Sequence, residues 1–273
     1  MAQIITSPHN PKVKEAQKLM KSKVRKESGL ILIEGKREIN LALAGGMEIN
    51  TLFYCPDCGY DLDSLDEKIG RDRIFDIAPA VFEKLSLRQN PDGFLAIAEA
   101  KKLSLNSVKL GKTPLVIILE SVEKPGNLGA ILRTADAAGV DAVIITDPKT
   151  DIFNPNTIRA SQGTAFTVQT ASASSEEVLK WAKTNKLKLF AATPSSSQDY
   201  LQKNFTGPTA ILMGTEDAGL SPFWLEAADE RIKIEMQGKI DSLNVSVSTA
   251  VVVFEAVRQR RKVRSKKLEV SRN

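Results

Sequence analysis

Apolar residues along this chain fall either in short unbroken runs or at helical spacing, and the two patterns alternate. Residues 11–26 set Val13, Ala16, Gln17 and Met20 at helical spacing on a basic background. A strand is predicted at 29–34, a helix at 36–44 closed by Gly45 and Gly46, and a strand at 48–54. A strand at 73–77, a helix at 79–85 and a strand at 94–100 complete a first α/β unit. The polar stretch 101–113, closed by Gly111 and Pro114, reads as a linker. Beyond it, strands at 115–120, 141–146, 166–170, 187–193, 209–214 and 231–236 alternate with helices at 127–138, 175–184 and 222–228. A long helix ends the chain. Continuous apolar strands separated by helices predict a mostly parallel sheet covered on both faces.

The chain has 273 residues, enough for two domains of ordinary size. The division expected is 1–105 and 113–273. Hydrophobic content of 42% and charged content of 26% are those of a globular protein. No apolar run approaches the roughly 20 residues of a membrane span. The N-terminus has no basic segment followed by an apolar core, so no secretion signal is expected and a cytoplasmic location follows.

Net charge is +5, and its distribution says more than its size. Lys12, Lys14, Lys18, Lys21, Lys23, Arg25 and Lys26 crowd one end; Arg258, Arg260, Arg261, Lys262, Arg264, Lys266 and Lys267 crowd the other. Two basic clusters suit a polyanion such as a nucleic acid, and solvated helix ends account for them equally well. Cys55 and Cys58 look like half of a zinc knuckle. Zinc needs four ligands, and the only histidine, His9, is remote in sequence. No metal is expected, and the pair reads as a turn with two reduced thiols.

Three segments carry candidate chemistry. The first, Asn127-Leu-Gly-Ala-Ile-Leu-Arg133-Thr-Ala135, follows a strand and a Lys-Pro-Gly turn. Leu128, Ile131, Leu132, Ala135 and Ala138 form its core face. Arg133 extends over Gly129 toward a helix N-terminus that favours anions, and Asn127 is placed to cap it. A glycine inside a helix costs roughly 1 kcal/mol, which hints at a close approach by something. The second, Met213-Gly-Thr-Glu216-Asp-Ala-Gly219-Leu-Ser221, also follows a strand, at the edge where open α/β sheets bind ligands. Its glycines let the backbone turn sharply and pass near a bound molecule. The third, 234–248, is ambiguous: 242–248 alternates like a strand, yet Leu243, Val247, Ala250, Val251, Phe254 and Arg258 fit a helix capped by Asp241 or Ser242.

In this order and spacing, Asn-x-Gly-x-x-x-Arg-Thr-Ala, Gly-x-Glu-x-x-Gly-Leu-Ser and Ser-Leu-Asn-Val-Ser resemble the motifs of the SpoU or TrmH family of RNA 2'-O-methyltransferases. The N-terminal half, with Ser7-Pro-His-Asn-Pro-Lys12 and Glu34-Gly-Lys-Arg37, looks like the L30e-like substrate-binding domain of the ribosomal-RNA branch. The resemblance implies an L30e-like α/β domain followed by an α/β trefoil-knot methyltransferase domain, where general rules predict an unknotted sheet. It also implies S-adenosylmethionine as cofactor, a homodimer, and the third segment as a cofactor loop leading into a helix. By the same resemblance Arg133, Asn127, Glu216, Ser242 and Asn244 are the catalytic set. Gly214, Ile234, Leu243, Thr193 and Met236 are cofactor-binding positions. Asn10, Lys12, Lys36 and Arg37, with Lys14 and Arg25 of the basic N-terminal cluster, are the expected RNA contacts. Glu235 departs from the family's proline, but backbone contacts in that loop need no particular side chain.

The expected reaction is 2'-O-methylation of RNA. Ribosomal RNA is favoured over transfer RNA by the separate N-terminal domain, and neither a DNA nor a membrane partner is expected. A catalytically inactive RNA-binding protein of the same fold is the rival from another class. A dinucleotide enzyme would want Gly-x-Gly-x-x-Gly after its first strand, and Gly126-Asn-Leu-Gly129 does not supply it.

Overall fold

The computed structural model describes residues 4–270, apart from the side chains of 266–270; Lys266 and Lys267 of the basic tail therefore lie outside the described side chains. Two compact units divide the chain. One is Met1–Lys101 with Asp151–Thr167, the other Lys102–Thr150 with Val168–Asn273. Segment 151–167 thus folds with the first unit, although the sequence places it inside the second.

The first unit begins with α1 (Pro11–Lys18) and α2 (Ser22–Ser28), followed by β1 (Leu30–Glu34), α3 (Lys36–Ala44) and β2 (Ile49–Tyr54). It continues through α4 (Leu65–Ile69), β3 (Ile74–Asp76), α5 (Pro79–Phe82) and β4 (Phe94–Glu99). The sheet order is β1-β4-β2-β3, antiparallel except for the β2–β3 pair. Val13, Ala16 and Leu19 pack with Leu32, Phe53, Val81, Phe82, Leu95 and Ile97 in its core.

The single helix predicted at 11–26 is two helices. Asn10 starts α1 by accepting a hydrogen bond from the Lys12 amide at 2.9 Å, with Pro11 in the first helical position. The chain then breaks at 19–21. Arg25 reaches back from α2, and its Nη1 donates to the Leu19 and Met20 carbonyls at 2.7 and 2.9 Å. Its Nε and Nη2 meet Asp151 at 2.8 Å. The side chain is 2% exposed. Arg25 is therefore an internal cap and ion pair, not an RNA contact.

Cys55 is buried at the end of β2, with Cys58 half-buried in the single turn that follows. Burial, reinforced by a hydrogen bond with Cys58, pushes the Cys55 thiol up to about 12. A thiol needs its thiolate to react. Iodoacetamide at pH 8 will accordingly alkylate Cys58 and spare Cys55 in the folded protein, as peptide mass spectrometry can read; equal labelling of both would contradict this.

The second unit runs from β5 (Leu115–Glu120) through α6 (Pro125–Ala138) to β6 (Ala142–Thr146). The chain then contributes α7 (Pro155–Ala160) to the first unit before returning as β7 (Thr170–Ala173) and α8 (Ser175–Thr184). β8 (Lys188–Ala192), β9 (Thr209–Met213), α9 (Pro222–Ala227), β10 (Glu230–Ile232) and α10 (Val245–Val270) complete it. All six strands are parallel in the order β10-β8-β9-β5-β6-β7. β5, β6, β8 and β9 are nearly buried throughout, as their apolar runs require.

Two predicted strands move. The apolar stretch at 166–170 is a 3-10 turn over 164–166, and β7 starts only at Thr170. Gly163 takes φ +88° ahead of that turn, and Phe166 stacks on Phe153 at 6.3 Å instead of entering the sheet. The strand predicted at 231–236 ends at Ile232; beyond it Lys233 forms only a lone parallel bridge to Asp199, its amide donating to the Gln198 carbonyl at 2.9 Å.

The basic C-terminal cluster also sorts into roles. Arg258 pairs with Glu255 at 2.7 Å. Arg260 donates to the carbonyls of Phe205, Gly207, Thr113 and Pro114 at 2.6–3.0 Å, tying α10 to the loop before β9 and the entrance of β5. Arg261, Lys262 and Arg264 remain exposed. No helix among the described residues is long and apolar enough to cross a membrane.

Candidate active site

Because the strands are parallel, the loops leaving β5, β8, β9 and β10 emerge at one edge of the sheet, its carboxyl edge. β5 and β9 are direct neighbours. The first segment, after β5, and the second, after β9, are therefore brought side by side.

Helix α6 begins at Pro125, two residues before the position expected, so Asn127 does not cap it. It sits inside the first turn, and its side chain is free to cross-link. Asn127 Nδ2 donates to Glu216 Oε1 of the second segment. Asn127 Oδ1 accepts from Asn244 Nδ2 of the third at 3.2 Å. Glu216 is completed by Lys124 Nζ at 3.1 Å. One asparagine thus joins all three segments, with its amide orientation set by an acceptor on one side and a donor on the other.

The strand-or-helix ambiguity at 242–248 resolves into a loop through 244 followed by α10. Asp241 and Ser242 do not cap that helix. Asn244 does: its Oδ1 accepts from the Ser246 amide at 2.9 Å and from Ser246 Oγ at 2.7 Å. Its two ends therefore do separate work, Nδ2 serving the relay and Oδ1 serving α10. Ser242 is exposed, with Oγ 3.5 Å from Asp241 Oδ1. Arg133 is exposed on α6 and takes no part in the relay. Gly129 is buried in the helix.

Gly214 has a reason of its own. Thr215 and Gly219 exchange backbone hydrogen bonds at 2.9 and 3.1 Å, folding the loop back so that a Cβ at 214 would collide with the Gly219–Leu220 backbone. Gly219 takes φ +70° to close that turn. The second segment is pinned further by Glu120, whose carboxylate accepts from the Ser221 amide at 2.8 Å.

Thr193, Gly214 and Ile234 follow three adjacent strands, β8, β9 and β10. The Thr193 amide bonds the Ile232 carbonyl at 2.8 Å. Ile234, Met236 and Leu243 are half-buried in the loop between β10 and α10. From 234 to 243 the backbone forms no backbone–backbone hydrogen bond among the described residues. This loop combines unused backbone donors and acceptors with partly covered apolar side chains, the mixture a nucleoside-like ligand needs.

In the first unit, Lys12 lies 4.4 Å from the Phe75 ring centre, and Lys14 is exposed. Lys36 engages the Asp61 carbonyl and the Asp63 carboxylate. Arg37 is 56% exposed and contacts Glu38 and Gln162 at 3.1 and 3.0 Å. Lys124 and Glu120 were missed from sequence. Lys124 left a signal, because a lysine is an unusual residue to precede a helix.

Residues 114–254 match the model of the SpoU rRNA methylase family, and residues 10–96 match an MRM3-like substrate binding domain. Over 261 residues the chain is 31% identical to an uncharacterized tRNA/rRNA methyltransferase of Synechocystis, covering 93% of each. It is 29% identical to the 23S rRNA (uridine(2479)-2'-O)-methyltransferase of Streptomyces viridochromogenes, covering 86% of this chain and 85% of that one. The AdoMet-bound rRNA methyltransferase from Sinorhizobium meliloti superposes with a TM-score of 0.86 at 31% identity, over 94% and 98% of the two chains. A family model that covers more than half of the chain, and a geometry that gathers its three motifs at one sheet edge, lead to one conclusion: the chain belongs to the SpoU rRNA methylase family and is an RNA methyltransferase.

Proposed function

We propose that this protein transfers a methyl group from S-adenosylmethionine to a ribose 2'-hydroxyl of RNA, with ribosomal RNA as substrate. The Asn127-centred relay is the observation that carries the reading, because it holds the three motif loops in one arrangement. The loops after β8, β9 and β10 fit the cofactor: Thr193, Gly214, Ile234, Met236 and Leu243 would hold it by backbone groups and partly buried apolar surface. When bound, the cofactor supplies an electrophilic methyl on a sulfonium.

The protein's own residues do the rest. Asn127, Glu216 and Asn244 fix the floor of the site and keep the loops in register, and Ser242 lies beside them on the loop. Alignment of this kind supplies up to roughly 7–11 kcal/mol of barrier lowering. Arg133 engages an RNA phosphate and donates to the oxyanion that develops on the 2'-oxygen. Its guanidinium carries N–H donors and no acceptor, so it acts as a donor and not as a base.

In the first unit Asn10, Lys12, Lys14, Lys36 and Arg37 form the RNA-contacting set, with Arg25 removed. RNA loops with splayed bases are the natural target of such a domain. Val247 and Phe254 lie seven residues apart on α10, each nearly half exposed, which supports a homodimer paired through that helix. A ribosomal RNA substrate supports a cytoplasmic location. The test is transfer of labelled methyl from S-adenosylmethionine onto total RNA, followed by mapping of the modified ribose. Label in ribosomal RNA is expected; label confined to transfer RNA would overturn the substrate.

A further inference from the structure

The residue that precedes α6 breaks a local rule. That position favours Ser, Thr, Asp or Asn, whose side chains accept from the helix's free amides. It disfavours a cation, because the N-terminal end of a helix is already positive. Lys124 occupies it, makes no side-chain cap, and satisfies the Asn127 and Leu128 amides at 3.1 and 3.2 Å through its carbonyl alone. A departure of this kind is expected where function outweighs local stability.

Its side chain shows what is gained. Lys124 Nζ lies 3.1 Å from Glu216 Oε2, while the other oxygen of the same carboxylate accepts from Asn127 Nδ2. The hydrogen bond to Glu216, helped by its charge and by that of Asp217, raises the Lys124 pKa above the ordinary lysine value. The lysine therefore remains a cation throughout the working pH range. It presents Glu216 with a cationic partner, and Glu216 in turn sets which end of the Asn127 amide faces Asn244.

We propose that Lys124 is a positioning residue for methyl transfer, holding Glu216 so that Asn127 and Asn244 keep the three motif loops in register. This rests on the reading of Asn127, Glu216 and Asn244 as the active site.

Local rules and function pull in opposite directions here, which makes the test sharp. Lys124→Ser gives α6 a proper cap and removes a cation from its positive end, so its unfolding midpoint will equal or exceed that of the native protein. Its kcat will nonetheless fall about tenfold on an RNA substrate at saturating S-adenosylmethionine. Lys124→Arg, which keeps a cation within reach of Glu216, will recover most of that loss. A Lys124→Ser enzyme with native kcat would overturn the proposal. So would native kcat with a raised KM for RNA alone, since that marks a simple phosphate contact. So would failure of arginine to restore any activity. Asn127→Ala, assayed alongside, separates the two readings: native activity in that variant would remove the active-site assignment itself, whatever Lys124 does.

Discussion

Replacing Arg133 by lysine will lower kcat for methyl transfer by about 10²-fold, while stability stays within about 0.5 kcal/mol of the native protein. The residue is exposed on α6 and contributes nothing to the Lys124–Glu216–Asn127–Asn244 relay. Substitution therefore leaves the site's framework in place. Lysine keeps the charge and loses the planar fork that can bond a phosphate and a developing oxyanion together. A loss of 10² corresponds to about 2.7 kcal/mol of transition-state stabilisation, the size expected for one oriented donor. The same variant separates a donor from a base. An ammonium with a pKa near 10.4 releases its proton far more readily than a guanidinium. If residue 133 removed the hydroxyl proton, lysine would perform at least as well and activity would climb with alkaline pH. A donor role predicts a low rate without that climb. Near-native methyl transfer by Arg133→Lys would end the donor assignment.

Local information in the sequence reached the secondary structure and the sheet type, because burial on both faces leaves a mark on every residue of a strand. The strands predicted at 115–120, 141–146 and 209–214 became β5, β6 and β9 almost residue for residue. Partnerships across long separations left no such mark. Asn127 looked like a helix cap, since asparagine near a helix start usually is one, yet its partners are 89 and 117 residues away. Asn244 was legible only as part of a motif, and its capping of α10 was credited to its neighbours. Phe166 is buried, but the strand predicted at 166–170 begins only at Thr170. Periodicity in so short a run does not say which unit does the burying.

The same limit explains the basic N-terminal cluster, which looked uniform in sequence and is not. Lys14, Lys21, Lys23 and Lys26 are exposed, whereas Arg25 is buried. What distinguishes it is Asp151, 126 residues further on. Segment 151–167 leaves the parallel sheet between β6 and β7 and completes the first unit, and Arg25 is the cation that receives it. A residue chosen for RNA by its neighbours' charge turned out to belong to the framework that presents those neighbours.

Arg25→Ala will accordingly destabilise the protein by about 3–5 kcal/mol, the range for breaking a buried ion pair by removing one partner. Three losses combine. Asp151, 16% exposed, is left without its cation. The Leu19 and Met20 carbonyls lose their donor, and a buried side chain is replaced by a cavity. Denaturant unfolding measures the sum. Asp151→Asn provides the control, because its Oδ1 can still accept from the Phe153 amide, as Asp151 does at 2.9 Å. That variant isolates the uncompensated guanidinium. If the pair is what matters, the two substitutions will be strongly non-additive, since the second removes a partner already lost. RNA affinity decides the functional question. Measured well below the unfolding midpoint, it will stay within about twofold of native for Arg25→Ala, whereas removing an exposed cation such as Lys14 will weaken binding and flatten its salt dependence if that lysine meets a phosphate. An Arg25→Ala protein with native stability and weakened RNA binding would return Arg25 to the RNA-contacting set. It would also mean that the Asp151 pair contributes nothing to holding segment 151–167 in the first unit.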